Sequence, residues 1–261
     1  MRSVARVWAC LAALALATVA SGQDKPARLT FDVASIRPTK PGTIAGMIKA
    51  IAGGHGYTAQ NVPVKLMISL MYKVPMRQIE GGPDWINTER YDIEARADGA
   101  YSLDDLHTMF QNLLADRFNL KFHKESREGN VYALTVDPAG LKMKANETPE
   151  NFNIPLIPRD QTTFVGTRVP MSYLSWWLGQ QVQRDSRPVI DKTGLVGNYD
   201  FTLSFLPPLP PDVSRDDLPA EVRDKPSIFD AVRDQLGLRL EAQRGPVEHY
   251  VIDHIEKPSE N

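Results

Sequence analysis

The 261-residue chain has one cysteine, Cys10, and it lies in an apolar N-terminal run. A mature chain without that run has no thiol, which excludes disulfides, thiolate zinc sites and cysteine nucleophiles. Catalytic signatures are missing as well. There is no Gly-x-Ser-x-Gly elbow and no His-Glu-x-x-His helix. The cluster Gly53-Gly54-His55-Gly56 lacks the lysine and serine spacing of a phosphate loop, so it reads as a turn. An excess of charge of one sign is also lacking. A net charge of −2 gives no footprint for nucleic acid or for an anionic membrane.

The N-terminus carries an export pattern. Arg2 and Arg6 precede the apolar stretch Val7 to Val19, and Ala20-Ser21-Gly22 supplies the small residues of a cleavage site. Residues 1–22 therefore read as a signal peptide cleaved before Gln23, and the run is short for a membrane span. A periplasmic or secreted protein with no stable span after cleavage is expected.

The rest of the chain states one pattern twice. Tyr57-Thr-Ala-Gln-Asn-Val-Pro63 returns as Phe164-Val-Gly-Thr-Arg-Val-Pro170, and Arg90-Tyr91-Asp92-Ile93 as Asn198-Tyr199-Asp200-Phe201. Phe118 to Phe122 with Val131 to Leu134 returns as Leu236 to Leu240 with His249 to Ile252. Pro63 to Asp92 spans 29 positions and Pro170 to Asp200 spans 30, so spacing agrees along with letters.

Local patterns place elements on each copy. Leu29, Phe31 and Val33 alternate as one face of a strand, and Gly42 to Gly56 has weak periodicity. Asn61 is positioned to cap a helix carrying Leu66, Met67, Leu70 and Met71. Tyr91, Ile93 and Ala95 form the apolar face of a strand, and Ser102 with Asp105 opens a second helix. Asn119 and Gly237 occupy equivalent helix ends, where both residue types accept the left-handed conformation. Leu120–His123 with Asn130–Val136 reads as a hairpin whose tip is Lys124 to Glu128, and Leu238–Leu240 with Glu248–Ile255 as a second hairpin.

These readings predict an α+β fold of two repeated subdomains, each with two helices packed on a small mixed sheet. The first repeat, with its N-terminal strand, covers 23–143 and the linker 144–161. The second covers 162–261, with a proline-rich insertion at 206–226 expected to be extended and exposed.

Two resemblances follow from the quoted residues. Phe31-Asp-Val-Ala-Ser-Ile-Arg-Pro38, Gly81-Gly82-Pro83-Asp-Trp85, Leu113-Leu114-Ala-Asp-Arg-Phe118, Pro188-Val-Ile-Asp191-Lys-Thr-Gly194 and Val251-Ile-Asp253 resemble the soil-associated bacterial protein family of unknown function. That likeness implies export and many paralogues. A related domain ends some membrane metallopeptidase sensors, but no catalytic residues are established and the peptidase motif is absent here. Each half is also similar to the short N-terminal domain of secretins and TonB-dependent receptors. The signs are the Val-Pro helix start, Thr193-Gly194-Leu195-Val196-Gly197 and Ala231-Val-Arg-Asp-Gln-Leu-Gly-Leu238. In the first half Gly81-Gly82-Pro83 stands where the Thr-Gly turn would be. This second likeness implies a periplasmic module that binds protein partners.

Candidate site residues are few. His249 and His254 are five apart on a strand, so their rings point to opposite faces and do not share a metal. His107 falls on a solvated helix flank between Leu106 and Met109. Asp92 and Asp200 each follow a tyrosine at repeat-related positions. They read either as paired carboxylates of a cleft, suited to glycan hydrolysis, or as carboxylates binding local backbone amides. Tyr173, Trp176 and Trp177 form the richest aromatic group, with Trp177 inward and Trp176 outward as a contact for a partner. No residue is assigned a catalytic, cofactor or metal role. The leading expectation is a non-enzymatic binding or sensory module for a cell-envelope protein, with Tyr173, Trp176, Asp92 and Asp200 as candidate contacts. The alternatives are a cell-wall or glycan hydrolase using the two aspartates and a structural envelope protein.

Overall fold

The computed structural model describes residues 28–148, 154–182, 187–210 and 212–258. The expected leader, residues 149–153 of the expected linker and Pro211 of the insertion lie outside them.

The chain begins with β1 (Val33–Pro38) and a short β2 (Met47–Ala50), the latter in the stretch of weak periodicity. Val33 is 60% exposed and Ile36 is the buried residue of β1, while Leu29 and Phe31 pack on the core ahead of the strand. The expected common face of Leu29, Phe31 and Val33 is thus corrected, because pairing starts only at Val33.

β3 (Gly56–Pro63) runs straight into α1 (Val64–Met71), and β4 (Ile79–Gly81) follows. Asn61 does not cap α1; Pro63 holds that position without a side-chain bond. Asn61 instead sits at φ 54° where the register of β3 shifts, and its amide donates to the carbonyls of Thr43 and Ala45 at 3.0 and 3.2 Å. Asparagine tolerates that left-handed backbone better than most residues.

After α2 (Trp85–Thr88), β5 (Arg90–Arg96) buries Tyr91, Ile93 and Ala95. α3 (Leu103–Arg117) starts as the sequence implies: Ser102 Oγ accepts the Asp105 amide at 3.0 Å. Such a cap stabilises by about 1 kcal/mol. The left-handed Asn119, at φ 49°, follows the end of the helix.

The remaining elements are β6 (Lys121–Val136), β7 (Lys144–Ala145), β8 (Leu156–Pro158), β9 (Thr163–Pro170) and α4 (Met171–Gln181). Next come β10 (Val189–Asp191), β11 (Asn198–Ser204) and α5 (Ala220–Arg223). α6 (Ile228–Ala231) continues as a π-helical turn to Leu236, and β12 (Leu238–His254) closes the order. Ser227 caps α6 through the Asp230 amide. Gly237 ends the turn at φ 68°, where a Cβ would meet the Gly140 carbonyl at 2.1 Å, so only glycine fits. The insertion is not simply extended, since a 3₁₀ turn at Arg215–Asp217 and α5 fold within it.

Among the described residues the architecture is mixed α/β with three four-stranded sheets. One is antiparallel in the order β1-β5-β3-β2, and a second is antiparallel in the order β7-β11-β9-β8. The third, β10-β6-β12-β4, is the mixed sheet: β10 runs parallel to β6 and β4 parallel to β12. Its central ladder corrects both expected hairpins. β6 and β12 are continuous strands of 16 and 17 residues that pair with each other from Leu238↔Val136 to Ile252↔Phe122. The stretch Lys124–Glu128 does not turn; it faces Tyr250 to Pro246. Cross-strand charges support it, with Lys124 Nζ at 3.5 Å from Glu248 and His123 Nδ1 at 2.8 Å from Asp253.

Two apolar cores meet this ladder at its two ends. The first draws on residues from Ile36 to Leu120 and then on Tyr250, Ile252 and Ile255. The second draws on residues from Met143 to Leu238 together with Tyr132 and Leu134. Each core is thus completed by the far end of the long strand that follows the other.

Candidate functional site

The two sequence-selected aspartates occupy matching positions. Asp92 Oδ1 accepts the Asn61 amide at 2.9 Å and the Thr39 hydroxyl at 2.8 Å. Asp200 Oδ1 accepts the Arg168 amide at 2.8 Å, and the Asn146 amide group donates to both its oxygens. Asn61 and Arg168 are left-handed at φ 54° and 53°. Each carboxylate therefore holds a left-handed amide one strand away, just before a proline that leads into a helix. The two lie in different sheets, on β5 and β11.

Tyr173 and Trp176 come to a different place. Their rings are 5.5 Å apart on α4, and both are half-buried against the second core. Trp176 is thus not turned to open solvent. It lines a cleft of about 390 Å³ whose far wall comes from Lys73, Pro75 and Gln78, between α1 and β4. The floor is Ser126 of β6 with Pro246, Val247 and Glu248 of β12, the centre of the long ladder. The Trp176 Nε1 is buried without a hydrogen-bond partner.

The walls are held by specific contacts. Lys73 stands at φ 52° after α1, and Ser69 Oγ donates to the Val74 carbonyl at 2.6 Å, turning the chain into β4. On the opposite wall Ser172 and Ser175 share the helical face of Trp176. The cleft continues into a smaller space of about 220 Å³ bounded by Arg77, Glu128, Asn130 and His249; Gln78, Pro188 and Val247 border both.

On α3 lies a buried polar group that sequence patterning placed in water. His107 is only 8% exposed. Its Nε2 lies 3.2 Å from the Tyr57 hydroxyl, while its Nδ1 has no partner. Burial pushes its pKa down to about 4, and Lys73 acts in the same direction. Burial also pushes the Tyr57 phenol up, with the Tyr173 phenol adding to the shift.

His249 and His254 each face a carboxylate. His249 Nδ1 lies 2.6 Å from Glu80, and His254 Nε2 lies 2.8 Å from Glu256. Among the described residues no three histidine, cysteine or acidic side chains converge as a metal site, and no helix is long and apolar enough to cross a membrane. Sequence reasoning missed Arg77, Gln78 and Glu128, whose significance arises only where β4 and the long ladder meet.

No curated protein and no solved structure matches the chain. A family model described as protein of unknown function (DUF3738) matches residues 65–255, which contain both sides of the cleft. The chain belongs to the DUF3738 family.

Proposed function

We propose that this chain is an exported, non-enzymatic binding or sensory module, periplasmic or secreted, that recognises a protein partner of the cell envelope. The observation that carries this reading is the cleft, which is walled by residues from both halves of the chain, floored by the long ladder, and carries the half-buried Trp176. The binding of Asp92 and Asp200 to backbone amides favours it over glycan hydrolysis by that pair.

In this account residues 23–143 and 162–261 are two copies of one unit, joined by 144–161, that have exchanged their last strands. Three correspondences support the duplication. β4 pairs with Tyr250–Ile252 as β10 pairs with Tyr132–Leu134. Asn61 matches Arg168, and Asn119 matches Gly237, all four left-handed. The likeness of each half to the short N-terminal domain of secretins and TonB-dependent receptors favours a protein as the partner.

Affinity capture from the native envelope with the mature chain tests the reading. One envelope protein should be enriched by the wild type, lost with Ser172→Tyr, which fills the cleft from an exposed position, and kept with Val196→Tyr. Enrichment indifferent to Ser172→Tyr would contradict it. So would glycan cleavage abolished by combining Asp92→Asn with Asp200→Asn.

A further inference from the structure

The charges around the cleft sort into paired and unpaired groups. Arg127 donates to both oxygens of Glu80 at 2.9 Å and to Glu125 at 2.6 Å. His249 is held by the same Glu80, Lys73 by Asp104 at 2.9 Å, and Lys124 lies against Glu248. Two charged side chains remain. Arg77 and Glu128 both line the 220 Å³ space, and neither makes a hydrogen bond or ion pair through its side chain with any described residue. They are not paired with each other either.

Partial withdrawal from water lowers the Arg77 pKa, as expected for a guanidinium without a counter-charge. A guanidinium is a fork for a carboxylate, and a carboxylate is an acceptor for an ammonium group. Two opposite charges that share a space without touching complement a ligand that carries both. A simple anion would leave Glu128 uncompensated, and a simple cation would leave Arg77 so.

The adjoining space has the opposite character. Pro75, Trp176, Val189, Pro246 and Val247 give it an apolar wall, and its 390 Å³ accommodates a large side chain. Gln78, 6% exposed, borders both spaces and places an amide where a charged head meets an apolar tail.

We infer that the cleft binds an α-amino acid with a bulky apolar side chain, its carboxylate on Arg77, its ammonium on Glu128 and its side chain against Trp176. This rests on reading the cleft as a recognition surface, and it names a small ligand for that surface.

The test is calorimetric titration of the mature chain with phenylalanine and leucine in both enantiomers. Phenylalanine amide, which lacks the carboxylate, and 3-phenylpropionate, which lacks the ammonium, serve as comparisons. At least one amino acid should bind, and its amide or deaminated counterpart about 10-fold or more weakly, the scale of one charge-assisted hydrogen bond. Arg77→Gln should weaken the amino acid and 3-phenylpropionate. Glu128→Gln should weaken the amino acid by about 10-fold and leave 3-phenylpropionate unweakened. Both residues are exposed, so circular dichroism should be unchanged.

Absence of binding by all four amino acids overturns the inference, as does equal affinity for phenylalanine and its two analogues. If the amino acids fail while envelope capture stays sensitive to Ser172→Tyr, the ligand is wrong and the cleft remains the recognition surface. If both fail, the cleft reading falls with it.

Discussion

Tyr250 lies 5.1 Å from Phe122, ring to ring, although Phe122 belongs to β6 in the middle of the sequence and Tyr250 to β12, the last strand. Tyr72 stands 5.0 Å from Phe122 and 6.0 Å from Tyr250, and Lys124 Nζ sits 4.8 Å over the Tyr250 ring. The last strand is thereby part of the first core, and the halves cannot be separated without opening both cores. Residues 23–143 expressed alone should fail to give a cooperative thermal transition. Mixing them with residues 144–261 should restore one. Within the whole chain, Ile252→Ala should cost about 2–5 kcal/mol of stability by chemical denaturation. A folded 23–143 fragment would contradict the interlocked arrangement.

The left-handed residues before each proline give a second prediction. Asp200→Ala removes the acceptor of the Arg168 amide and leaves that donor in the strand junction without its side-chain partner. It should destabilise by about 1–3 kcal/mol, as should Asp92→Ala, read as a fall in urea midpoint. Arg168→Gly should be nearly neutral, because glycine adopts φ 53° without a Cβ conflict, whereas Arg168→Val should cost about 1 kcal/mol or more. Equal losses for glycine and valine at 168 would show that the left-handed backbone is not what the position requires.

His107 makes stability depend on pH. Its folded-state pKa of about 4 lies below the unfolded value of 6.5, so the unfolded chain binds more protons between these values. Stability is therefore full above pH 6.5 and falls as pH drops towards 4, by at most about 3 kcal/mol. Paired carboxylates such as Asp137, held low by the Ala139 amide and by Arg239, lose stability only at more acidic pH. Urea midpoints from pH 7 to 4 should show this slope in the wild type and a flatter one in His107→Phe. Identical slopes would place the titrating group elsewhere.

Much of the fold was legible because it is local. The strand-helix starts at Pro63 and Pro170, the Ser102 cap, the alternating face of β5 and the left-handed stops at Asn119 and Gly237 all follow from neighbours in sequence. The long ladder was not legible. Lys124–Glu128 has the polarity of a turn tip, yet it is the exposed middle of a strand, and alternation names a strand's face without naming its partner. β2 escaped for the same reason, being four residues at a sheet edge. His107 was placed in water by helical phase, and it is the approach of Tyr57 that makes its flank an interior one. At the cleft Trp176 carried a signal, and its neighbour Tyr173 lies beside it on α4. Arg77 and Glu128 look like any surface charges until the other cations and anions are found already paired.

The proposed export makes a chemical prediction. The mature protein recovered from the envelope or the medium should begin at Gln23, as read by N-terminal peptide mass. A retained Met1 or Arg2 would contradict the assigned cleavage.

In the proposed reading, the seam between α4 and the segment before β4 is where this protein meets its partner. Site-specific photo-crosslinking in the native envelope addresses it most directly, with the photoreactive side chain placed at Ser172 on the cleft wall or at the exposed Val196. The account predicts one discrete protein adduct from Ser172 and none from Val196. No adduct from Ser172, or the same adducts from both positions, would contradict it.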